Sequence, residues 1–216
     1  VRPMLVAADP LARIRSLKGE REFNYTLAHW TVQTDNLTPA EVAEEVLRGW
    51  NMLAKTEETN AGEDYGDLAA VVQTSTGEYP VWVGWGIIEE IGQRVSRLMT
   101  PSAAYVITDE GVSRQARRAQ VSMEAAGIPT HMFVMPSGES HKTLETAQYI
   151  YRWLAGRKAE RGHLVLAVGG GVVGDLAGFV AATYLRGMPF AQVPTTLLAM
   201  TDAAIGGKTA VDLPQG

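Results

Sequence analysis

The sequence predicts an α/β fold: a parallel sheet covered by helices, preceded by a mostly helical segment. Three observations carry that expectation. Leu164 to Val168 is an apolar run without alternation, which suits a strand buried on both faces. Gly169-Gly170-Gly171 follows directly, and an Ala-rich, helix-compatible stretch follows the glycines. Upstream, short apolar runs alternate with helix-length amphipathic runs, the rhythm of right-handed strand–helix–strand crossovers.

The triple glycine says more than "turn". After a buried strand it lets the backbone bend tightly and lets a ligand approach without meeting a Cβ. The next helix would aim its free N–H groups and dipole at that ligand, which favours phosphate. From the residues alone this reads as a nucleotide- or phosphate-binding turn.

Composition narrows the function. The 216 residues carry a net charge of −5, which argues against nucleic acid as a partner. No apolar run approaches the ~20 residues needed to span a bilayer. There is no cysteine, so disulfides and thiolate metal sites are excluded, and a cytoplasmic setting is expected. The chain starts on Val1 without a signal-peptide pattern and stops in a turn-like stretch at Gly216, so a piece of a longer chain is expected.

In order, Asp9-Pro10 reads as a helix start with Asp as N-cap. Thr38-Pro39-Ala40-Glu41 is a capping box, and the helix it opens carries Val42, Val46, Trp50 and Leu53 on one face. Residues 54–66 lose periodicity and read as a linker. Two strands are expected over Leu68–Val72 and Tyr79–Val83, then a helix with Ile87, Ile88, Ile91 and Val95 inward. A strand over Ala103–Thr108 ends in Asp109, with a helix to about Ala126. Next come a strand over Thr130–Met135, a turn at Pro136–Glu139, a helix over about Lys142–Arg157 and the strand at Leu164.

Gly169-x-Gly171-x-x-Gly174 matches the dinucleotide fingerprint in the required strand–turn–helix context. The acid expected about 20 residues later, to hold a ribose, is missing from Phe190 to Thr196; Asp109 sits at the end of an earlier strand instead. From the residues alone, a tight turn without a ligand stays open. Gly206-Gly207-Lys208-Thr209 resembles the end of a P-loop, but Asp202 occupies the position that needs the first glycine. Lys208 is then either a point-charge ligand for phosphate or a solvated lysine. Asp175 is either a ligand contact or a plain acid at a helix start, and Arg186 either a ligand contact or a helix C-terminal cation. The four histidines are scattered without metal-ligand spacing, so no complete metal site is expected.

Together the runs GGGVVGDLAGFVAATYLRG and QVPTTLLAMTDAAIGGKTAVD closely resemble the signature of the 3-dehydroquinate synthase family. YPVWVGWGIIEEIG, Asp109 and the SGESHK turn at Ser137 to Lys142 agree with it in the right order. The resemblance runs from about Leu68 to Gly216. It implies conversion of 3-deoxy-D-arabino-heptulosonate 7-phosphate to 3-dehydroquinate with loss of phosphate, using NAD and a divalent metal, zinc or cobalt. It gives Asp109 to the adenosine ribose, and Gly138, Glu139 and Lys142 to the cofactor. Gly170, Gly171, Val172, Gly174 and Asp175 line the pyrophosphate and ribose, with Thr195 and Thr196 on the nicotinamide side. Asp202 and Lys208 reach the substrate, and Arg186 adds a phosphate contact, across a dimer interface in the homodimer the resemblance implies. Many members read Val-Asp-Ser-Ser where this chain has Thr201-Asp202-Ala203-Ala204. The family's metal ligands lie in a helical domain beyond Gly216, so these residues alone are expected to bind NAD weakly and not to turn over.

Residues 1–53 carry a second resemblance, to the C-terminal part of a shikimate kinase, with Arg21 in Arg-x-x-x-Tyr25 matching that family's shikimate-binding arginine. The parent is then a bifunctional enzyme of aromatic biosynthesis. Three alternatives stay open: a related sugar-phosphate cyclase, a metal-dependent polyol dehydrogenase on the same scaffold, and a non-catalytic nucleotide-binding module.

Overall fold

The computed structural model describes residues 9, 11–16, 18–19, 32, 34, 37–57, 67–74 and 77–214, with residues 51–57 described by backbone alone. The chain divides into two units, Val1–Gly66 and Asp67–Gly216. Arg21, Tyr25 and most of the linker lie outside the described residues.

In the first unit, Asp9 Oδ1 accepts from the N–H groups of Leu11 and Ala12, both at 3.0 Å, as an N-cap does. Helix α1, Pro39–Glu57, opens on the capping box: Thr38 N donates to Glu41 Oε2 (2.7 Å), and Glu41 N donates to Thr38 Oγ1 (3.4 Å). The bonds that Thr38 N and Thr38 Oγ1 (2.7 Å) both donate to Glu41 Oε2 hold the Glu41 carboxyl below its ordinary pKa. The helix runs through the first four residues of the expected linker. On its apolar face Val42 is half-buried, while Val46 and Trp50 are 47% and 44% exposed.

The second unit begins with an antiparallel hairpin of β1, Leu68–Thr74, and β2, Gly77–Trp82. A short 3-10 turn and helix α2, Ile91–Leu98, follow, with Ile91 and Val95 buried as expected. The remaining elements are β3 (Ala104–Asp109), α3 (Ser113–Ala125), β4 (Thr130–Met135), α4 (Leu144–Gly156), β5 (Leu164–Gly169), α5 (Gly171–Thr183) and β6 (Phe190–Pro194). Strands β3 to β6 form one parallel sheet in the order β4-β3-β5-β6.

Alternate residues of the central strands feed two cores. Tyr105, Ile107, Val165 and Ala167 pack with Ile150 and Leu154 of α4 and with Val173, Leu176 and Val180 of α5. Ala104, Val106, Leu164, Leu166 and Val168 pack on the other face with α2 and α3 through Ile91, Val95, Ala116 and Met123. Every residue of β5 is buried, which is why its sequence shows no alternation. The fold class read from the sequence is thus the one observed here.

α2 and α3 touch closely enough that a Cβ on Gly92 would collide with the Ser122 carbonyl. Gly92 N donates to Ser122 Oγ (3.1 Å), and Ser122 Oγ donates to the Glu89 carbonyl (2.6 Å), so the contact is satisfied as well as tight.

The strand order decides where a ligand can sit. From β3 the chain crosses to β4 on one side; from β5 it crosses to β6 on the other. The two crossovers diverge between β3 and β5, leaving a crevice at the carboxyl ends of those neighbours, the switch point of an open α/β sheet.

Candidate functional site

Asp109 ends β3 and Gly169 ends β5, one step past the paired residues Thr108 and Val168. The acid missing downstream of the Gly-rich turn is therefore beside it in space, on the adjacent strand. Asp109 Oδ1 accepts from Gly111 N (2.8 Å) and from Ser137 Oγ (3.1 Å), and the half-buried carboxylate is fixed at the mouth of the crevice.

On the β5 side, Gly170 is the N-cap of α5 in an extended conformation with no side-chain cap. The first intrahelical bond is Gly174 N to Gly170 O (3.0 Å), so the N–H groups of Gly171, Val172 and Val173 have no intrahelical acceptor. The cradle is bare by design of its glycines: a Cβ on Gly170 would come within 3.2 Å of Thr196 Cγ2, and one on Gly174 within 2.6 Å of Gln192 Oε1. A Cβ on Gly171 would meet only Ala203, at 3.7 Å.

β6 hands over to this cradle through Thr195, whose N–H donates to the Gly169 carbonyl (2.9 Å). Its hydroxyl Oγ1 is buried and has no partner among the described residues. A buried hydroxyl without a bond costs about 1–3 kcal/mol, and this one, beside an open cradle, has its bonding capacity left for a ligand atom. Thr196 is committed locally: its Oγ1 accepts from Ala199 N (3.3 Å). There the chain enters a π-helical turn, Ala199–Ala203, that carries Asp202. Asp202 is ion-paired with Lys208, both largely exposed. The glycines before Lys208 adopt left-handed backbone (φ +88° and +69°), and residues 209–214 are not helical, so the P-loop reading fails on geometry as well as on spacing.

A second cluster surrounds Lys142. Its ammonium lies 2.5 Å from Glu139, 3.4 Å from Asp212 and 3.7 Å from Asp175, with the side chain only 13% exposed. Burial pulls the Lys142 pKa down, but the bonds and charges of Glu139 and Asp212 outweigh it and leave it above the ordinary lysine value. Burial raises the Asp175 carboxyl, and Lys142 offsets only part of that rise. Gly138, at φ +114°, makes the turn that brings Glu139 over Lys142. A groove bounded by Glu139, Thr143, Leu144, Asp212 and Leu213 opens beside it.

Two sequence expectations shift in detail. Asp175 is in the second turn of α5, not at its start, so its environment is set by Lys142 and burial rather than by the helix dipole. Arg186 does not end α5; it belongs to a separate 3-10 turn after Thr183, with Leu185 and Arg186 both left-handed. That turn lies one helix length, roughly 20 Å, from the cradle. The Arg186 side chain is exposed and is not brought to the other site residues. Ser137 and Asp212 are contacts that motif reading missed; neither sits at a diagnostic spacing.

Among the described residues no group of three His, Asp or Glu side chains could hold a metal ion, and no helix is long and apolar enough to cross a membrane. The bare glycine cradle, the orphaned Thr195 hydroxyl and the adjacent Asp109 do fit a dinucleotide.

Fold and site define a parallel-sheet α/β domain whose structural neighbours are sugar-phosphate cyclases. Over 68% of this chain and 41% of theirs, the structure resembles 2-deoxy-scyllo-inosose synthase complexed with carbaglucose-6-phosphate, NAD+ and Co2+ (TM-score 0.64, 28% identity). It also resembles 2-epi-5-epi-valiolone synthase from Streptomyces hygroscopicus with NAD+ and Zn2+ bound (TM-score 0.55, 30% identity, 68% of this chain and 39% of that one). More particularly, residues 132–216 match the family model for the 3-dehydroquinate synthase N-terminal region. The chain is 49% identical over 140 residues to 3-dehydroquinate synthase of Symbiobacterium thermophilum, covering 64% of this chain and 39% of that protein. It is 46% identical over 146 residues to the Enterococcus faecalis enzyme, covering 67% and 41%. The chain spans about two fifths of the length of these relatives.

Proposed function

We propose that residues 67–216 are the NAD-binding part of a 3-dehydroquinate synthase. The observation that carries this reading is the pairing of Asp109 with the bare Gly169–Gly171 turn across the β3–β5 switch point. Asp109 Oδ2 is left for a ribose hydroxyl once Oδ1 is held by Gly111 and Ser137. The free N–H groups at the start of α5 donate to the pyrophosphate, with Gly170, Gly171, Val172 and Gly174 keeping the approach open. Glu139, Lys142 and Asp175 take the second ribose, and the Thr195 hydroxyl gains its missing partner on the nicotinamide side, beside Thr196.

When bound, NAD supplies reversible hydride removal at a carbinol, which acidifies the neighbouring C–H so that phosphate can leave by elimination. Lys208 holds the phosphate as a point charge, and Asp202 orients Lys208 through their ion pair. Arg186, remote from the cradle within one copy, supplies a phosphate contact to a second copy in a homodimer. The divalent metal, zinc or cobalt, finds no ligand set among the described residues.

We infer further that residues 1–53 derive from the C-terminal part of a shikimate kinase, with Arg21 as the shikimate contact, and that 54–66 join the two parts, residues 54–57 as the last turn of α1. The support is sequence resemblance alone. The parent then works on two steps of one pathway in the cytoplasm.

The test is phosphate release from 3-deoxy-D-arabino-heptulosonate 7-phosphate by the full-length protein with NAD and zinc. Release without net NADH formation is expected. NADH accumulation with glycerol and no phosphate release would point to a polyol dehydrogenase instead.

A further inference from the structure

Residues 205–212 form a strap that joins β2, α5 and the Lys142 turn. Gly206 N donates to the Tyr79 hydroxyl of β2 (3.0 Å). Ala210 N donates to the Asp175 carbonyl in α5 (3.3 Å), and Asp212 N to the Lys142 carbonyl (2.7 Å). Thr209 lies so close to α5 that only a glycine at 178 leaves room for its methyl, and Val211 packs against the core. The strap ends in a bridge between Thr143 and Asp212, and the Asp212 carboxylate reaches the Lys142 ammonium at 3.4 Å. Lys208 rides in the middle of this segment.

The charges around Lys142 make the strap's last anchor responsive. One ammonium is shared among Glu139, Asp212 and Asp175, and it lies nearest Glu139, the most exposed of the three. A ligand hydroxyl that donates to the Glu139 carboxylate, whose Oε1 faces Lys142, draws negative charge away from that pair. The ammonium then depends on the two carboxylates that remain, one of which belongs to the strap.

We propose that Asp212 is a positioning residue that couples occupancy of the Glu139–Lys142 turn to the placement of Lys208. The inference rests on the reading of that turn as a cofactor contact. Filling the turn strengthens the Lys142–Asp212 pair, fixes the strap over α5 and thereby holds Lys208 where its ion pair with Asp202 is made. Linkage makes the effect reciprocal: whatever factor the cofactor adds to strap order, the strap returns to cofactor affinity.

The experiment is amide hydrogen exchange of residues 206–212 with and without saturating NAD, alongside calorimetric NAD titration, in the wild-type chain, Asp212→Asn and Asp212→Glu. Asp212→Asn keeps the backbone bond to Lys142 and removes only the charge, while Asp212→Glu restores the charge. In the wild type NAD should slow exchange at Ala210 and Asp212 roughly fivefold, at the low end of ordinary couplings. Asp212→Asn should lose that response and bind NAD more weakly by the same factor, and Asp212→Glu should recover part of both. If NAD binds and exchange in the strap does not change, or if Asp212→Asn responds as the wild type does, the coupling is refuted while the cradle stands. If NAD does not bind the wild-type chain at all, the cradle reading falls and the coupling with it.

Discussion

Ser137 Oγ donates to Asp109 Oδ1 at 3.1 Å, joining the turn after β4 to the end of β3 across the edge of the crevice. Both side chains also accept from Gly111 N, so the carboxylate is fixed by two donors that a ligand need not supply. A pre-oriented acceptor costs a ligand less ordering on binding.

Asp109→Asn should therefore weaken NAD binding about tenfold, the loss of a charge-assisted bond of about 1.5 kcal/mol. Ser137→Ala should cost less, because Asp109 keeps its Gly111 bond. Calorimetric titration of the two variants would show the order; equal affinity of Asp109→Asn and wild type would remove Asp109 from the ribose.

Two glycines of opposite role separate binding from stability. A Cβ on Gly171 meets only Ala203 at ordinary contact distance, so Gly171→Ala should fold with unchanged or slightly higher melting temperature. The methyl would occupy the ligand's approach and should reduce NAD affinity about tenfold or more, on the scale of a lost phosphate contact of ~1.5–3 kcal/mol. Gly92→Ala, by contrast, drives a methyl into the Ser122 carbonyl and should destabilise the α2–α3 contact by about 1–3 kcal/mol. Urea unfolding of both variants checks the contrast.

The Thr195 hydroxyl gives a sharper prediction because it is buried without a partner among the described residues. Thr195→Val removes the orphaned oxygen and keeps the shape. The ligand-free chain should gain about 1 kcal/mol of stability and lose NAD affinity. A variant less stable than wild type would mean that the hydroxyl is already satisfied within the fold.

The Lys142 cluster predicts a pH signature. Lys142 has a folded pKa above its ordinary value, so its contribution is complete below that value and is lost only as pH rises through the folded pKa. Asp175, also raised, favours its protonated form in the fold, so its contribution declines as pH rises from the ordinary carboxyl value through the folded one. Lys142→Met leaves Glu139, Asp175 and Asp212 facing one another without a cation. Its melting temperature should fall at neutral pH and recover as pH drops through the carboxylate range. A variant that tracks the wild type across that range would show that the cluster carries no net repulsion.

The sequence disclosed the sheet because β5 is uninterrupted apolar residue and its neighbours alternate with helices of ordinary length. It disclosed the Gly169–Asp175 turn because glycine requirements are local. The place of Asp109 was harder: the acid precedes the glycines by some sixty residues, and only the order β4-β3-β5-β6 makes the two adjacent. Asp212 was illegible because its partner, Lys142, is brought near by the strap's path over α5, which has no periodic signature. Val46 and Trp50 show the converse: they share one face of α1 as the pattern says, yet they stay 47% and 44% exposed.

The most direct measurement is a titration of the chain with NAD followed at single backbone amides by NMR. The account predicts that Gly170, Gly171 and Val172, at the start of α5, shift together with Gly111, beside Asp109, along one saturating curve. Shifts confined to other residues, or none at these four as NAD is raised to saturating excess, would contradict it.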